Sequence, residues 1–190
     1  MGIILASGSP RRRQLLEMLG CTDMRVIPAV GEEKNIPGRG PEETVMALSR
    51  AKAEEVAAKA GGGDVIIAAD TIVYLDGEIL GKPADAADAV RMLTALSGRE
   101  HTVYSGVTVI KNGERLCHAE KTAVRFRVLT AEEIVSYVAT GEPMDKAGAY
   151  AAQGLASLFV EGIDGDFFNV MGLPVCALGQ MLLKLGVKLI

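Results

Sequence analysis

The sequence predicts an α/β fold built on a mixed central sheet flanked by helices, and three patterns predict it. Short apolar runs bounded by turn residues alternate with segments of helical periodicity, as they do where strands are joined through helices. One such run, residues 65–69, is continuously apolar, as a strand covered on both faces must be. Asp76-Gly77 and Asn112-Gly113 each sit between extended segments and are strong hairpin signals, so antiparallel pairs interrupt the crossovers.

The elements follow in order. Residues 3–6 form the first strand. Ser9 suits the N-cap of a following helix, Pro10 its first position, and Leu15, Leu16 and Leu19 its apolar face. Residues 25–28 read as a short strand, and 31–40 as a polar loop carrying Glu32, Glu33 and Lys34. A second helix is expected over 41–60, with Glu42 and Glu43 complementing the dipole in its first turn. Val45, Leu48 and Val56 mark its buried side, and the glycines at 61–63 end it. The strand at 65–69 ends at Asp70, and 72–75 continues extended to the first hairpin turn. After Gly81-Lys82-Pro83 comes a helix over 85–96, closed by Gly98. Strands over 101–110 and 115–127 flank the second hairpin turn, with Val103, Val107 and Val109 on one face. Thr130 and Glu133 have the spacing of a capping box and open a helix to about residue 139. A Gly-rich loop then covers 141–154, 155–160 reads as a strand, and 178–185 lies in a final helix.

A chain of 190 residues, 49% hydrophobic and 23% charged, is long enough for one sizeable core or two closely packed lobes, and one domain over 1–190 is the expectation. A net charge of −4, no Trp, and four Phe and four Tyr argue against a general nucleic-acid surface. Positive charge that serves a ligand must then be local, which suits a small polyanion. Three scattered cysteines, Cys21, Cys117 and Cys176, have no CxxC spacing, which argues against a disulfide framework or thiolate zinc site and for a reducing compartment. No apolar run approaches the roughly 18 residues of a membrane span, and residues 3–6 are too short for a signal-peptide core. A cytoplasmic protein is expected.

The residues with chemical promise lie at element ends. Arg11, Arg12 and Arg13 fall in the first turn of a helix, where the positive end of the dipole disfavours cations by about 0.3–1 kcal/mol each. A strand, a turn containing Ser7 and Ser9, exposed N–H groups and an Arg cluster describe a phosphate cradle; the alternative is a surface helix with solvated arginines. Neither the P-loop nor the GxGxxG spacing is present. Asp70 follows a buried strand, where α/β folds place ligands, or else caps a turn with Thr71. Glu32 and Glu33 either supply further carboxylates for Mg²⁺ or Mn²⁺ or are solvated loop acids. Lys82 is stiffened by Gly81 and Pro83, Lys146 sits in the Gly-rich loop beside Asp145, and Lys52 lies on the second helix, where a surface lysine is the ordinary reading.

Taken together, LASGSPRRRQLL at 5–16, EE at 32–33, AKA at 51–53, AADTIV at 68–73, LGKP at 80–83, LSG at 96–98, DKAGAYAAQG at 145–154 and NVMGLP at 169–174 closely resemble the Maf family of nucleoside triphosphate pyrophosphatases. The resemblance covers nearly the whole chain. It implies hydrolysis of a nucleoside triphosphate to the monophosphate and pyrophosphate, a divalent metal (Mg²⁺ or Mn²⁺), an elongated α/β fold of two lobes with a cleft between them, and a homodimer. Arg11, Thr71 and Gln153 match the branch acting on dTTP and UTP, whereas the branch acting on 7-methyl-GTP has Trp, Gln and Glu there. A Gln amide can meet both the N3–H and the carbonyls of thymine or uracil, but it can flip, so exclusion of cytosine needs other groups.

The resemblance implies that Ser7, Ser9, Arg11, Arg12 and Lys146 bind the substrate with Thr71 and Gln153. Lys52 and Lys82 would neutralise the leaving group, Glu33 and Asp70 hold the metal, and Asp70 serve as general base. Two departures stand out: Gly31 precedes the paired acids where the family usually has Val or Ile, and Phe168 replaces a common Tyr or His. The family is also associated with arrest of septum formation, so a nucleotide-responsive division regulator is the alternative function.

Overall fold

The computed structural model describes residues 2–31 and 40–189, so Glu32, Glu33 and Lys34 lie outside the described residues. The chain forms β1 (Ile3–Leu5), α1 (Pro10–Met18), β2 (Arg25–Val26), α2 (Pro41–Ala57), β3 (Val65–Leu75), β4 (Glu78–Leu80), α3 (Ala86–Leu96), β5 (Glu100–Lys111) and β6 (Glu114–Phe126). There follow α4 (Ala131–Ala139), three short 3₁₀ helices, β7 (Val160–Asp164), α5 (Phe167–Met171) and α6 (Val175–Lys184). A seven-stranded sheet runs in the order β2-β1-β3-β5-β6-β7, with β4 paired to β3. β1 is parallel to both β2 and β3, whereas β3 with β4 and β6 with β7 are antiparallel. The sheet is therefore mixed. Both hairpin turns take the left-handed geometry that their sequences favour, Asp76 and Gly77 at φ 50° and 89°, Asn112 and Gly113 at φ 51° and 84°.

Several boundaries differ from the sequence reading. Asp70 and Thr71 do not make a turn: β3 runs unbroken through them, because apolar residues continue on either side and its two ends are held by β1 and β4. The strand expected over 155–160 is instead a 3₁₀ helix, Leu155–Leu158, followed by β7. Ala156 and Phe159 are buried while Leu155 and Leu158 are exposed, a spacing of three rather than the alternation of a strand. The Gly-rich loop contains two more 3₁₀ helices, Glu142–Asp145 and Ala147–Ala149. α2 stops at Ala57, and its last turn tightens as the Ala60 N–H reaches both the Val56 and Ala57 carbonyls. The capping box at Thr130 and Glu133 is formed as expected.

The chain divides into two compact units. The first comprises Met1–Asp70, Ser105–Glu120 and Gly172–Ile190. Its core includes Ile4, Ala6, Ile66 and Ala68 of the sheet region against Ala53 and Val56 of α2. Helix and sheet meet closely at Gly106, where an added Cβ would overlap the Val45 carbonyl. The second unit comprises Thr71–Tyr104 and Lys121–Met171. Its core joins Val73 and Leu80, Leu93 and Leu96 of α3, Ile134 and Val138 of α4, and the rings of Phe126, Tyr150 and Phe159. Each such aliphatic or Phe side chain contributes about 1.5–3 kcal/mol by leaving water. Among these rings lies His101, 3% exposed, its Nε2 2.8 Å from the Tyr150 hydroxyl and its Nδ1 without a hydrogen-bond partner among the described residues.

Two stability predictions follow from this packing. Gly106→Ala should leave little folded protein, whereas Gly179→Ala, inside α6 with nothing among the described residues within 4 Å of the new methyl, should raise stability by about 0.5–1 kcal/mol in urea titrations. Burial lowers the His101 pKa from 6.5 to about 4. A group depressed in the folded state is protonated first in the unfolded chain, so its contribution is complete above pH 6.5 and is lost between pH 6.5 and 4. From pH 7 to 5 the wild type should lose about 2 kcal/mol more than His101→Gln, compared by denaturant midpoints.

Candidate active site

Two groups of polar residues occupy the positions that the sequence singled out, one in each unit. In the first unit, the turn between β1 and α1 brings Ser7, Ser9 and the arginines together. Ser9 occupies the N-cap position of α1 with extended backbone, but its side chain makes no capping bond, contrary to the expected cap, and no acid stands in the first turn. Its N–H instead reaches the Ser7 hydroxyl, at 3.3 Å. Pro10 takes the first helical position as expected.

The three arginines separate. Arg12 is 9% exposed and serves as an internal clamp: its Nε donates to the Gly172 carbonyl at 2.8 Å and its Nη1 to the Ser7 hydroxyl at 3.0 Å. Arg13 is exposed and pairs with Glu17 one helical turn on, at 2.8 Å. Arg11 is half-buried. The bond to Gly172 also gives the NVMGLP segment a structural role. Within the second unit the same segment's Asn169 is buried and donates from Nδ2 to the Val103 carbonyl at 3.1 Å and the Thr122 hydroxyl at 2.9 Å.

The central pair of the first unit is Lys52 with Asp70. Lys52 Nζ donates to Asp70 Oδ1, and the two side chains are only 19% and 8% exposed. Lys52 therefore does not occupy the ordinary surface-lysine position. It lies seven residues after Val45 and, like Ser49 and Val56, on the stripe of α2 that faces the sheet. A carboxylate withdrawn this far from water needs a cation close by, and the pairing directs the Asp70 oxygen toward Lys52 Nζ.

In the second unit, Thr71 is half-buried, Lys82 exposed beside the buried Pro83, and Gln153 exposed. The loops carrying Lys82 and Lys146 are joined directly, for the Gly148 N–H donates to the Gly81 carbonyl at 3.0 Å. Lys146 Nζ donates to the Glu142 carbonyl at 2.8 Å and to Asp145 at 2.5 Å, so the neighbouring acid noted in the sequence is a real partner. Sequence reasoning missed the supports beneath this loop. His101 anchors Tyr150, and the Glu142 carboxylate accepts the Tyr137 hydroxyl at 2.9 Å and the Leu155 N–H at 3.2 Å. Only the place of Tyr150 three residues before Gln153 could have drawn attention to them.

Glu33 lies outside the described residues, and among those described no group of three His, Cys, Asp or Glu side chains is arranged to hold a metal. Asp70 supplies one hard oxygen donor of the kind that Mg²⁺ and Mn²⁺ take. The pairing itself is testable. Lys52→Met should destabilise the fold by about 3 kcal/mol by stranding a buried carboxylate, and Lys52→Met with Asp70→Asn should recover part of that loss in thermal melts.

The Maf-like protein family model matches residues 2–185. The chain is 47% identical over 184 residues to the dTTP/UTP pyrophosphatase of Symbiobacterium thermophilum, covering 97% of this chain and 94% of that protein. It is 48% identical over 173 residues to the dTTP/UTP pyrophosphatase of Thermococcus gammatolerans, covering 91% of each. Among solved structures it is similar to the Ham1 protein of Staphylococcus aureus, with a TM-score of 0.52, 16% identity, and coverage of 98% of this chain and 100% of that one. A HAM1 protein from Coxiella burnetii gives a TM-score of 0.53 at 16% identity, covering 97% and 99%. These two likenesses concern the fold. With the family model spanning both units and near-half identity along almost the whole length, the chain belongs to the Maf-like protein family.

Proposed function

We propose that this protein is a dTTP and UTP pyrophosphatase: water attacks the α-phosphorus, the bond to the bridging oxygen breaks, and the nucleoside monophosphate and pyrophosphate are released. The observation that carries the reading is the near-half, nearly full-length identity to proteins named dTTP/UTP pyrophosphatase. The role is that of a cytoplasmic housecleaning enzyme acting as a homodimer, with residues 1–190 as one functional domain.

In this reading Asp70 orients the attacking water and takes its proton, with Lys52 fixing the position of its carboxylate. Ser7, Ser9 and Arg11 meet the triphosphate at the positive end of α1, whose first turn carries no acid of its own, while Arg12 holds Ser7 in place. Lys82 and Lys146, with Lys52, offset the charge that moves onto the departing pyrophosphate. Thr71 and the exposed amide of Gln153 read the base, and Arg11 supports that selection. Asp70 and Glu33 would hold Mg²⁺ or Mn²⁺; a divalent cation there supplies charge neutralisation of the phosphate oxygens and a more acidic water.

The test is a product assay on dTTP, UTP, CTP and 7-methyl-GTP with Mg²⁺ or Mn²⁺, resolving pyrophosphate from phosphate. The wild type should release pyrophosphate with dTMP or UMP, and Asp70→Asn should lower kcat by about 10²–10⁴. A loss below tenfold removes Asp70 as the base. Stepwise release of phosphate refutes the pyrophosphatase chemistry. Tight nucleotide binding with no turnover points instead to a nucleotide-responsive regulator of septum formation.

A further inference from the structure

We infer that His101 and Tyr150 are positioning residues for base selection, their buried hydrogen bond setting the turn from which Gln153 reaches the nucleotide. The inference rests on the pyrimidine-nucleotide reading above and adds to it two residues that contact no substrate.

The backbone leading to Gln153 takes a conformation that it would not hold unaided. Gly148 and Ala149 are consecutive left-handed residues, φ 66° and 59°, and Ala149 pays for its Cβ in that region. Gly148 lies against Val73, where an added Cβ would come within 2.7 Å of the Val73 side chain. Beyond Tyr150 the chain closes on itself, the Gly154 N–H donating to the Ala151 carbonyl at 2.9 Å around Gln153. At the far end the Glu142 carboxylate underlies Gly154 so tightly that a Cβ there would overlap it. The segment is thus held at both ends, and Tyr150 is its middle fixing point.

Tyr150 is buried with its hydroxyl 2.8 Å from His101 Nε2, and its ring packs edge-on against His101 and Phe126, with centroids at 5.4 and 4.8 Å. The His101 ring also meets Phe126 edge-on, at 5.0 Å. A core position selected for stability alone would be served better by a phenylalanine, because His101 leaves Nδ1 buried without a partner among the described residues. What the imidazole provides that a phenyl ring does not is the bond to Tyr150. That bond fixes where the 151–154 turn begins, and Gln153 is the exposed residue on that turn.

The experiment measures kcat and KM for UTP, dTTP and CTP, with thermal melts, for the wild type, Tyr150→Phe, His101→Leu, His101→Gln and Gln153→Ala. Tyr150→Phe keeps the ring and removes only the hydroxyl, so it tests the bond even if His101→Leu does not fold. Tyr150→Phe should raise KM for UTP and dTTP about 3- to 30-fold, leave kcat within about threefold, and narrow the preference for UTP over CTP. His101→Gln, whose amide can still bond the hydroxyl, should fall between wild type and His101→Leu. Adding Tyr150→Phe to Gln153→Ala should change selectivity no further, because the residue being positioned is gone. A lowered melting temperature with unchanged KM and unchanged UTP preference overturns the inference, as does an undiminished effect in the Gln153→Ala background. Wild-type protein that turns over neither UTP nor dTTP overturns the functional reading itself, and with it the inference, an outcome recognised before any variant is compared.

Discussion

A carboxylate in the interior of a strand buried on both sides is the constraint on which the rest of this structure depends. Asp70 is 6% exposed within β3, and transfer of an unpaired carboxylate to such a place would cost several kcal/mol. Lys52 offsets that cost, but a lysine can do so only if its helix lies close enough to the sheet. α2 achieves this by small contacts: Ala53 and Val56 pack on the strand residues, the Ser49 hydroxyl meets that of Thr108 at 2.9 Å, and the Val45 carbonyl sits where any side chain on Gly106 would be. Glycine at 106, alanine at 53 and the stripe from Val45 to Val56 are consequences of the same requirement.

That stripe shows how much of the site was legible. Val45 and Val56 mark the buried face of α2 in the sequence, and 45, 49, 52 and 56 recur at helical spacing, so Lys52 could have been assigned to that face by geometry. Taken as a single residue it reads as a surface lysine, because lysine on a helix is solvated in most contexts. The partner across the sheet is a long-range fact, and no local pattern contains it. Asp70, which the sequence places at the end of a strand with a turn beside Thr71 as the alternative, lies inside β3 for a related reason. Asp and Thr favour turns locally, and only the pairing of both ends of β3 with other strands keeps the chain extended through them.

Elsewhere the local rules agreed with the fold where one interaction dominates, and failed where two compete. The hairpin turns at Asp76-Gly77 and Asn112-Gly113 and the capping box at Thr130 are decided by their own few residues, and all formed as read. Residues 155–160 are apolar and short, a pattern that periodicity cannot assign, and burial of Ala156 and Phe159 settled it toward a 3₁₀ turn before β7. The supports of the Gln153 turn were invisible for a different reason. His101 and Glu142 act through side chains on Tyr150 and Leu155, residues 49 and 13 positions away in sequence, and neither stands in a motif of its own.

The charge pattern around α1 carries the final step. Three arginines at the positive end of a helix look like one feature, yet the fold treats each of them differently. Arg13 is neutralised by Glu17, and Arg12 is turned inward to hold Ser7 and Gly172, which leaves Arg11 as the member of the run that the fold commits to neither purpose. The same logic governs the lysines: Lys52 rests on Asp70, and Lys146 on Asp145 and the Glu142 carbonyl. In the proposed reading, these pairings limit the uncompensated positive charge that a protein of net charge −4 carries before a polyphosphate binds. Arg12, Lys52 and Lys146 are each already oriented by an oxygen of the protein, and electrostatic stabilisation that is organised in advance is the kind that lowers a barrier.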